Sequence, residues 1–499
     1  MVQETGIARS SRGEESKEPR PLSSFDPSEL TIPLVVDLDG TLVRTDLLIE
    51  SIVALVKARS RYSFALPLWL LKGRAALKQE VARRISLDTC LIPYRSELVE
   101  YLEAQRSQGR SVVLATANDG RVAQQVADHL RLFDWVLASD GRTNLSGECK
   151  RERLVAQFGE RGFDYVANEA CDMAVWSSAR RALVVNTSQQ FVRSVARVAE
   201  VQILCEEHPH RAEYLNVLRP QHWLKNLLVL VPLFAAHRFD EPLLLGKLAW
   251  AFLAFCCCAS SGYLFNDLFD LSADRHHPKK CLRPFAAGRL QLSYALAMIP
   301  TLLILGCVFG SLISLLFVGV LLLYYALTLG YSLFIKRVAL LDVIVLAGLY
   351  TLRIMAGGVA VAIWPSEWLL AFSTFLFLSL ALVKRYGELV IMRNVDGDGA
   401  RARSYEISDA ELLASTGTAS GYIAVLVLAL YITSGAAKAL YGRHQLMWLL
   451  CPLLLYWVGH IWLVAHRGKM DEDPTVFAWR EQTSRILILL MFCVALLAI

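Results

Sequence analysis

Two hydrophobic rhythms divide this chain. Between residues 31 and 200, apolar residues come in short runs bounded by charge, as in Pro33-Leu34-Val35-Val36-Asp37 and Ser111-Val112-Val113-Leu114-Ala115. Runs of this length predict buried strands of an α/β domain. From residue 222 onward the runs lengthen to bilayer-spanning size, at about 222–237, 242–265, 293–309, 311–334, 338–363, 366–383, 418–437, 446–465 and 484–499. The prediction is a multidomain chain: a polar, disordered tail over 1–30 with no signal peptide, an α/β domain over 31–200, a linker over 201–215, and an all-α transmembrane bundle of about nine helices over 216–499. The run Leu66-Pro67-Leu68-Trp69-Leu70-Leu71 is too short to cross a bilayer. It reads as the apolar face of a helix, with the length to rest on lipid headgroups.

Composition sharpens this picture at three points. Of 499 residues, 55% are hydrophobic, too many for a soluble protein of this size. The net charge of +5 argues against a nucleic-acid partner, and nothing in the sequence names a protein partner. The 11 cysteines form no CxxC pair and no His/Cys metal spacing, so they read as packing residues and reduced thiols. Basic residues crowd alternate loops: Arg275, Lys279, Lys280, Arg283 and Arg289, then Lys336 and Arg337, then Lys384, Arg385 and Arg393, then Arg467 and Lys469. By the positive-inside rule these loops, with the amino-terminal half, face the cytoplasm of a multi-pass protein of the cell (inner) membrane. Nine spans would put the carboxyl terminus outside.

Candidate chemistry concentrates after the second span, in Asn266-Asp267-Leu268-Phe269-Asp270-Leu271-Ser272-Ala273-Asp274-Arg275. Spacings of three and four residues stack Asp267, Asp270 and Asp274 on one helical face. Three uncompensated carboxylates repel one another; magnesium removes that cost and is usually shared with substrate phosphates. Lys279 and Arg283 lie just downstream to clamp phosphate oxygens. The bland alternative is a solvated loop of self-neutralising charge. Inside the fifth span, Asp342 and Arg353 are eleven residues apart and share a helix face. Charges at that depth usually face the bundle interior. Asp342 is placed to complete a metal site, Arg353 to hold a lipid phosphate, and Tyr331 and Lys336 to assist a leaving group; the competing reading is a structural interhelical pair.

These residues resemble the UbiA superfamily of membrane-embedded prenyltransferases over about 216–499. The resemblance rests on N-D-x-x-D-x-x-x-D after the second span and on Tyr331-Ser332 and Lys336 leading to Asp342. The opening Leu218-Arg219-Pro220-Gln221-His222-Trp223-Leu224-Lys225-Asn226, the loop D-R-x-H-P-x-K-x-x-R-P and Lys384-Arg385-Tyr386-Gly387-Glu388-Leu389 look like the decaprenyl-phosphate phosphoribosyltransferase branch. That branch joins phosphoribosyl diphosphate to a polyprenyl phosphate. The resemblance implies magnesium as cofactor, Asp267, Asp270 and Asp274 as catalytic and metal-binding residues, and substrate contacts from Lys225, Asn266, Arg275, Lys279, Arg283, Tyr331, Lys336, Asp342, Arg353, Lys384 and Arg385. It further implies a polyprenyl lipid and a diphosphate donor as partners in the membrane. Leu346 stands where the quinone-type branch commonly has another Asp, which weighs against prenylation of an aromatic ring.

In the amino-terminal half, the first strand ends in Asp37-Leu38-Asp39-Gly40-Thr41. It delivers two carboxylates where α/β folds place their chemistry. Asp37 suits attack on phosphorus, and Asp39 suits protonation of the leaving oxygen. Thr116 supplies a hydroxyl for phosphoryl oxygens, Lys150 a charge clamp and Asp172 a metal ligand. The order resembles the haloacid dehalogenase (HAD) phosphohydrolases over 31–200, a Rossmannoid fold, with 46–95 as a helical cap. It implies Asp37, Asp39, Asn168 and Asp172 around a magnesium ion. Asn168 stands where the family often has Asp, which lowers the expected metal affinity, and a fold without activity is the alternative. For the whole chain, the competing classes are an aromatic prenyltransferase, which needs the same metal site, a membrane transporter and a non-catalytic scaffold.

Overall fold

A computed structural model describes residues 31–205, 210–277, 279–396, 401–402, 404–470 and 473–499. The expected tail over 1–30 lies outside them. The chain divides into two compact units that are interleaved in sequence. The first comprises residues up to Val43, Pro67–Cys90 and Tyr94–Glu207; the second comprises Arg44–Leu66, Leu91–Pro93 and His208–Ile499.

The first unit is built on six parallel strands: β1 (Leu34–Val36), β2 (Val112–Asp119), β3 (Trp135–Ser139), β4 (Asp164–Ala167), β5 (Arg181–Val185) and β6 (Glu200–Cys205). Their order is β3-β2-β1-β4-β5-β6, a doubly wound sheet whose direction of winding reverses between β1 and β4. Both predicted strands are present, and β6 occupies the first part of the expected linker. Parallel sheets are covered on both faces, which is why β1, β4 after Asp164 and most of β5 are buried apolar runs. Val35 is in register with Val113 on one side and Tyr165 on the other, so β1 runs through the middle of the core that Trp176 and Phe163 close. Within this unit Leu68 and Leu71 are 61% and 85% exposed, so the 66–71 run packs no core.

The expected cap over 46–95 is helical but does not stay together. Leu47–Ala58, opened by an Asp46 side chain that accepts the Ile49 N–H, belongs to the second unit, and Arg74–Ala82 to the first. The division follows burial. Leu47, Glu50, Ser51 and Leu55 are buried on one face of Leu47–Ala58, and Ile49 packs against the cluster of Leu264, Leu268, Leu271 and Phe285.

In the second unit, among the described residues, seven helices are long and apolar enough to cross a membrane: Pro242–Phe269, Leu292–Ser311, Leu315–Arg337, Leu341–Val361, Glu367–Arg393, Ile407–Thr433 and His444–His466. Pro474–Arg480 and Gln482–Ala498 make an eighth if their 87° bend counts as one broken span. This corrects the expectation of nine and removes the parity argument for the carboxyl terminus. The stretch expected as the first span is an 11-residue 3-10 segment, Pro220–Leu230, followed by the short helix Val231–Ala235. Pro220 and Pro232 each sit at the start of one of these pieces, where a missing N–H does least harm. The 3-10 segment crosses Leu341–Val361 at Gly357, where a Cβ would lie 2.0 Å from the Val229 carbonyl oxygen. Leu315 and Leu316 turn outward at 84% and 69% exposure, as expected where lipid is the solvent.

Candidate functional site

The Asp-rich stretch is a break between helices. Pro242–Phe269 stops at Asp270, and Leu271–His276 begins there. The break distributes the three acids differently from a continuous helix. Asp267 and Asp274 share Arg283, whose Nη1 lies 3.2 Å from Asp267 Oδ1 and also donates to Asp274 Oδ2. Asp270 instead takes Lys336, whose Nζ is 2.7 Å from both carboxylate oxygens and 3.4 Å from Asn266 Oδ1. Among the described residues no three His, Cys, Asp or Glu side chains converge as a metal-binding group. The expectation of three stacked carboxylates is corrected accordingly, because cations already separate them.

Asp267 instead faces a polar cavity of about 220 Å³ lined also by Arg219, His222 and Arg283. Arg219, whose backbone adopts φ +54°, donates to Asp267 and sets its guanidinium over the Tyr263 ring. A left-handed non-glycine residue carries strain that recurs at binding sites. Hard carboxylate oxygens beside two guanidinium groups form a donor set suited to a magnesium-diphosphate, since magnesium needs only one or two protein carboxylates when phosphates complete its shell. Sequence reasoning quoted Arg219 and His222 within a motif but singled out neither.

Most of the other predicted residues sort into three further networks. Asp342 is fully buried and pairs with Arg385, at 2.6 Å, and with the Tyr405 hydroxyl, also at 2.6 Å. Arg385 additionally donates to Tyr331 and Glu388. Asp342 therefore joins an interhelical ion pair. Arg353 is not its partner: it donates to Asn226 Oδ1 at 3.0 Å, to the Leu349 carbonyl at 2.8 Å and to the Tyr324 hydroxyl at 2.6 Å. Lys225 and Lys384 meet on one carboxylate, Asp473 Oδ2, at 2.6 and 3.3 Å. Asp473 was missed, although Asp before Pro474 is a recognisable helix start. Lys225 and neighbouring Thr475 also line an apolar cavity of about 950 Å³, walled by Trp364, Trp368, Trp457 and Trp479. Arg275 is spent on Glu50, and Lys279 is exposed with its backbone N–H on the His277 ring.

In the first unit the residues expected at the strand ends do meet. Lys150 Nζ is 2.7 Å from Asp37 Oδ1 and 3.5 Å from Asp172 Oδ1. Tyr165 donates its hydroxyl to Asp172 at 2.8 Å. One ammonium thus serves two buried carboxylates, leaving the group with excess negative charge. Burial, with Asp172 adding to it, raises Asp37 to about 6 despite Lys150. Burial works against the Lys150 ammonium, but the two carboxylates outweigh it and hold its pKa above the ordinary range. Asn118 donates to Asp39 at 2.7 Å, and the Thr116 hydroxyl accepts the Asn118 N–H. Thr41 donates to Asn168 Oδ1 at 3.0 Å and lies 3.5 Å from Asp37 Oδ2, so these two oxygens converge. Asp172, predicted as a metal ligand, is taken up by Lys150, Tyr165 and the Glu169 N–H. Gly40 is required here: its φ is +70°, and a Cβ would stand 2.6 Å from Asn168 Nδ2.

The chain is 36% identical to the protein y4nM of Sinorhizobium fredii over 91% of its length and 88% of that protein. It is 34% identical to the nodulation protein NoeC of Azorhizobium caulinodans, covering 56% of this chain and 94% of that one. A decaprenyl-phosphate phosphoribosyltransferase of Corynebacterium glutamicum is 38% identical over 36% of this chain, and the match spans 54% of that enzyme. Among solved structures, a UbiA homolog from Archaeoglobus fulgidus bound to GPP and Mg2+ superposes with a TM-score of 0.44 at 18% identity, over 57% of this chain and 99% of that one. The UbiA prenyltransferase family profile matches residues 227–497, more than half of the chain, and the protein belongs to that family.

Proposed function

We propose that the second unit transfers phosphoribosyl from phosphoribosyl diphosphate to a polyprenyl phosphate, and that the first unit is a HAD-like phosphohydrolase acting on the product. The observation carrying the transferase reading is the polar cavity that sets Asp267 between Arg219 and Arg283. The 38% identity of part of this chain to the phosphoribosyltransferase of C. glutamicum supports this donor, and so does Leu346, which packs against the apolar core where a second acid would favour ring prenylation.

Asp267 and Asp274 would hold magnesium, which supplies charge neutralisation for the departing diphosphate. Arg219 and Arg283 bind the diphosphate oxygens once they exchange their present carboxylate partners for substrate. The ribose C1–O bond breaks with its electron pair going to diphosphate, and a polyprenyl phosphate oxygen forms the new C1–O bond. Lys225 and Lys384 anchor that phosphate, and the apolar cavity receives the lipid chain. In the first unit, Asp37 attacks the terminal phosphorus while Asp39 gives a proton to the departing ribose hydroxyl. Asp39 then takes a proton from the water that cleaves the aspartyl phosphate. Asp37 Oδ2 and Asn168 are the oxygens that would hold its magnesium.

The test supplies purified full-length protein in lipid nanodiscs with magnesium, labelled phosphoribosyl diphosphate and polyprenyl phosphate. Label should enter the lipid fraction, and Asp267→Ala or Asp274→Ala should lower that rate at least about 100-fold. An Asp37→Asn protein should still make the first bond and accumulate the phosphorylated lipid. A product spectrum identical to wild type would remove the phosphohydrolase step, and label entering lipid only from a prenyl diphosphate would replace the donor.

A further inference from the structure

The Asp-rich break makes contacts that the family resemblance does not account for. Lys57, near the end of Leu47–Ala58, donates to the Phe269 carbonyl at 2.6 Å and lies 3.5 Å from Asp270 Oδ1. Phe269 is the last residue of the long helix, so its carbonyl has no intrahelical partner and carries part of the helix's negative end. Lys57 supplies the cap that the local sequence lacks. One helical stretch earlier, Glu50 takes both Nη atoms of Arg275, at 2.6 and 2.9 Å, with both side chains almost fully buried. Thr45 holds Glu50 in place by donating to it at 2.6 Å, and Arg275 closes the loop by donating to the Ala286 carbonyl at 3.0 Å.

Arg275 directly follows Asp274 and has three carboxylates within a short stretch of chain. Without Glu50, that guanidinium would be a buried charge with no carboxylate opposite it, and the nearest acids along the chain are those of the Asp-rich stretch. Glu50 thereby keeps Arg275 away from them. Close packing fixes the same loop: Gly288, at φ +69°, leaves no room for a Cβ against Arg44 and Pro93.

We infer that Glu50 and Lys57, from the amino-terminal part of the chain, are positioning residues that hold the Asp267–Asp274 segment in its binding arrangement. The second unit is then incomplete without residues 44–66. The binding arm of the test rests on the proposed diphosphate site; the exchange arm does not.

The experiment compares full-length wild type, Glu50→Gln, Lys57→Met, the milder Thr45→Val and the double variant Glu50→Gln/Arg275→Gln. Hydrogen exchange over 264–290 should quicken in Glu50→Gln and Lys57→Met, while exchange in Leu341–Val361 stays as in wild type. Affinity for inorganic diphosphate with magnesium should fall about tenfold, the lower end of what loss of a residue supporting ligands usually costs. In the double variant, affinity should recover relative to Glu50→Gln, because the stray guanidinium is gone. Unchanged exchange in both single variants overturns the inference, as does a double variant no better than Glu50→Gln. Should Glu50→Gln fail to fold, Thr45→Val must show the same local quickening or the inference falls. If wild type binds no diphosphate, the proposed donor site fails, and the exchange result alone decides the positioning role.

Discussion

At the scale of single residues, the strongest consequences come from buried charge. Asp37 ionises only near pH 6 because burial disfavours its carboxylate. A carboxyl group whose folded pKa lies above its unfolded value stabilises the fold below the unfolded pKa, and that contribution is lost as pH rises through the folded one. The first unit should therefore lose stability as pH climbs from about 4 to 6, the range between the usual Asp value and that of Asp37. Phosphoryl transfer to Asp37 should rise over the same interval, since only the carboxylate attacks. Thermal unfolding against pH for wild type and Asp37→Asn checks the first trend: the variant should lose the slope. Asp473 makes a second residue-scale case. Replacing it by Asn leaves Lys225 and Lys384 facing each other without a shared counter-ion, which should cost about 3 kcal/mol, as breaking buried pairs does. Unfolding of the detergent-solubilised protein measures it. Most of these residues were legible as chemistry, because an Asp or Lys beside an apolar run asks for a partner. Which partner it takes was not. Asp342 and Arg353 share a helix face, yet Arg385 and Asn226 claim them from other helices.

At the scale of elements, strands and spans were legible because burial on both sides writes continuous apolar runs. The breaks between elements were harder to read. A period of three and four residues through Asp267, Asp270 and Asp274 is equally compatible with one helix or with two meeting at Asp270, and long-range cations select the second. The segment after Pro220 is apolar enough for a span, but its 3-10 course follows from proline placement and from its crossing with Leu341–Val361. That crossing depends on Gly357. A Gly357→Ala protein must move Val229 and its carbonyl away, and overpacking of this kind should cost about 1–3 kcal/mol. Lowered thermal stability, with weaker retention of a prenyl phosphate in the adjoining cavity, is the expected result.

At the scale of the whole molecule, the expected topology places the 266–292 and 384–417 loops in the cytoplasm together with residues 1–210. In intact cells, a membrane-impermeant maleimide should leave Cys281 unmodified and should react with it only after the membrane is permeabilised. Modification in intact cells would invert the assignment. Domain order along the chain was legible, since hydropathy changes character near residue 210. The assignment of 44–66 to the membrane unit was not, because Lys57 and Phe269 meet across a separation of 212 residues.

That interleaving bears on biogenesis. Residues 44–66 leave the ribosome long before Pro242–Phe269 exists, so Leu47–Ala58 emerges with its apolar face and Glu50 unpartnered. Contacts separated by 212 and 225 residues form late, after the intervening strands have been made. A chain interrupted before residue 277 should hold this helix open and recruit chaperones. Completion of the first membrane helix should then release them, making docking of the early helix a late step in maturation of the second unit.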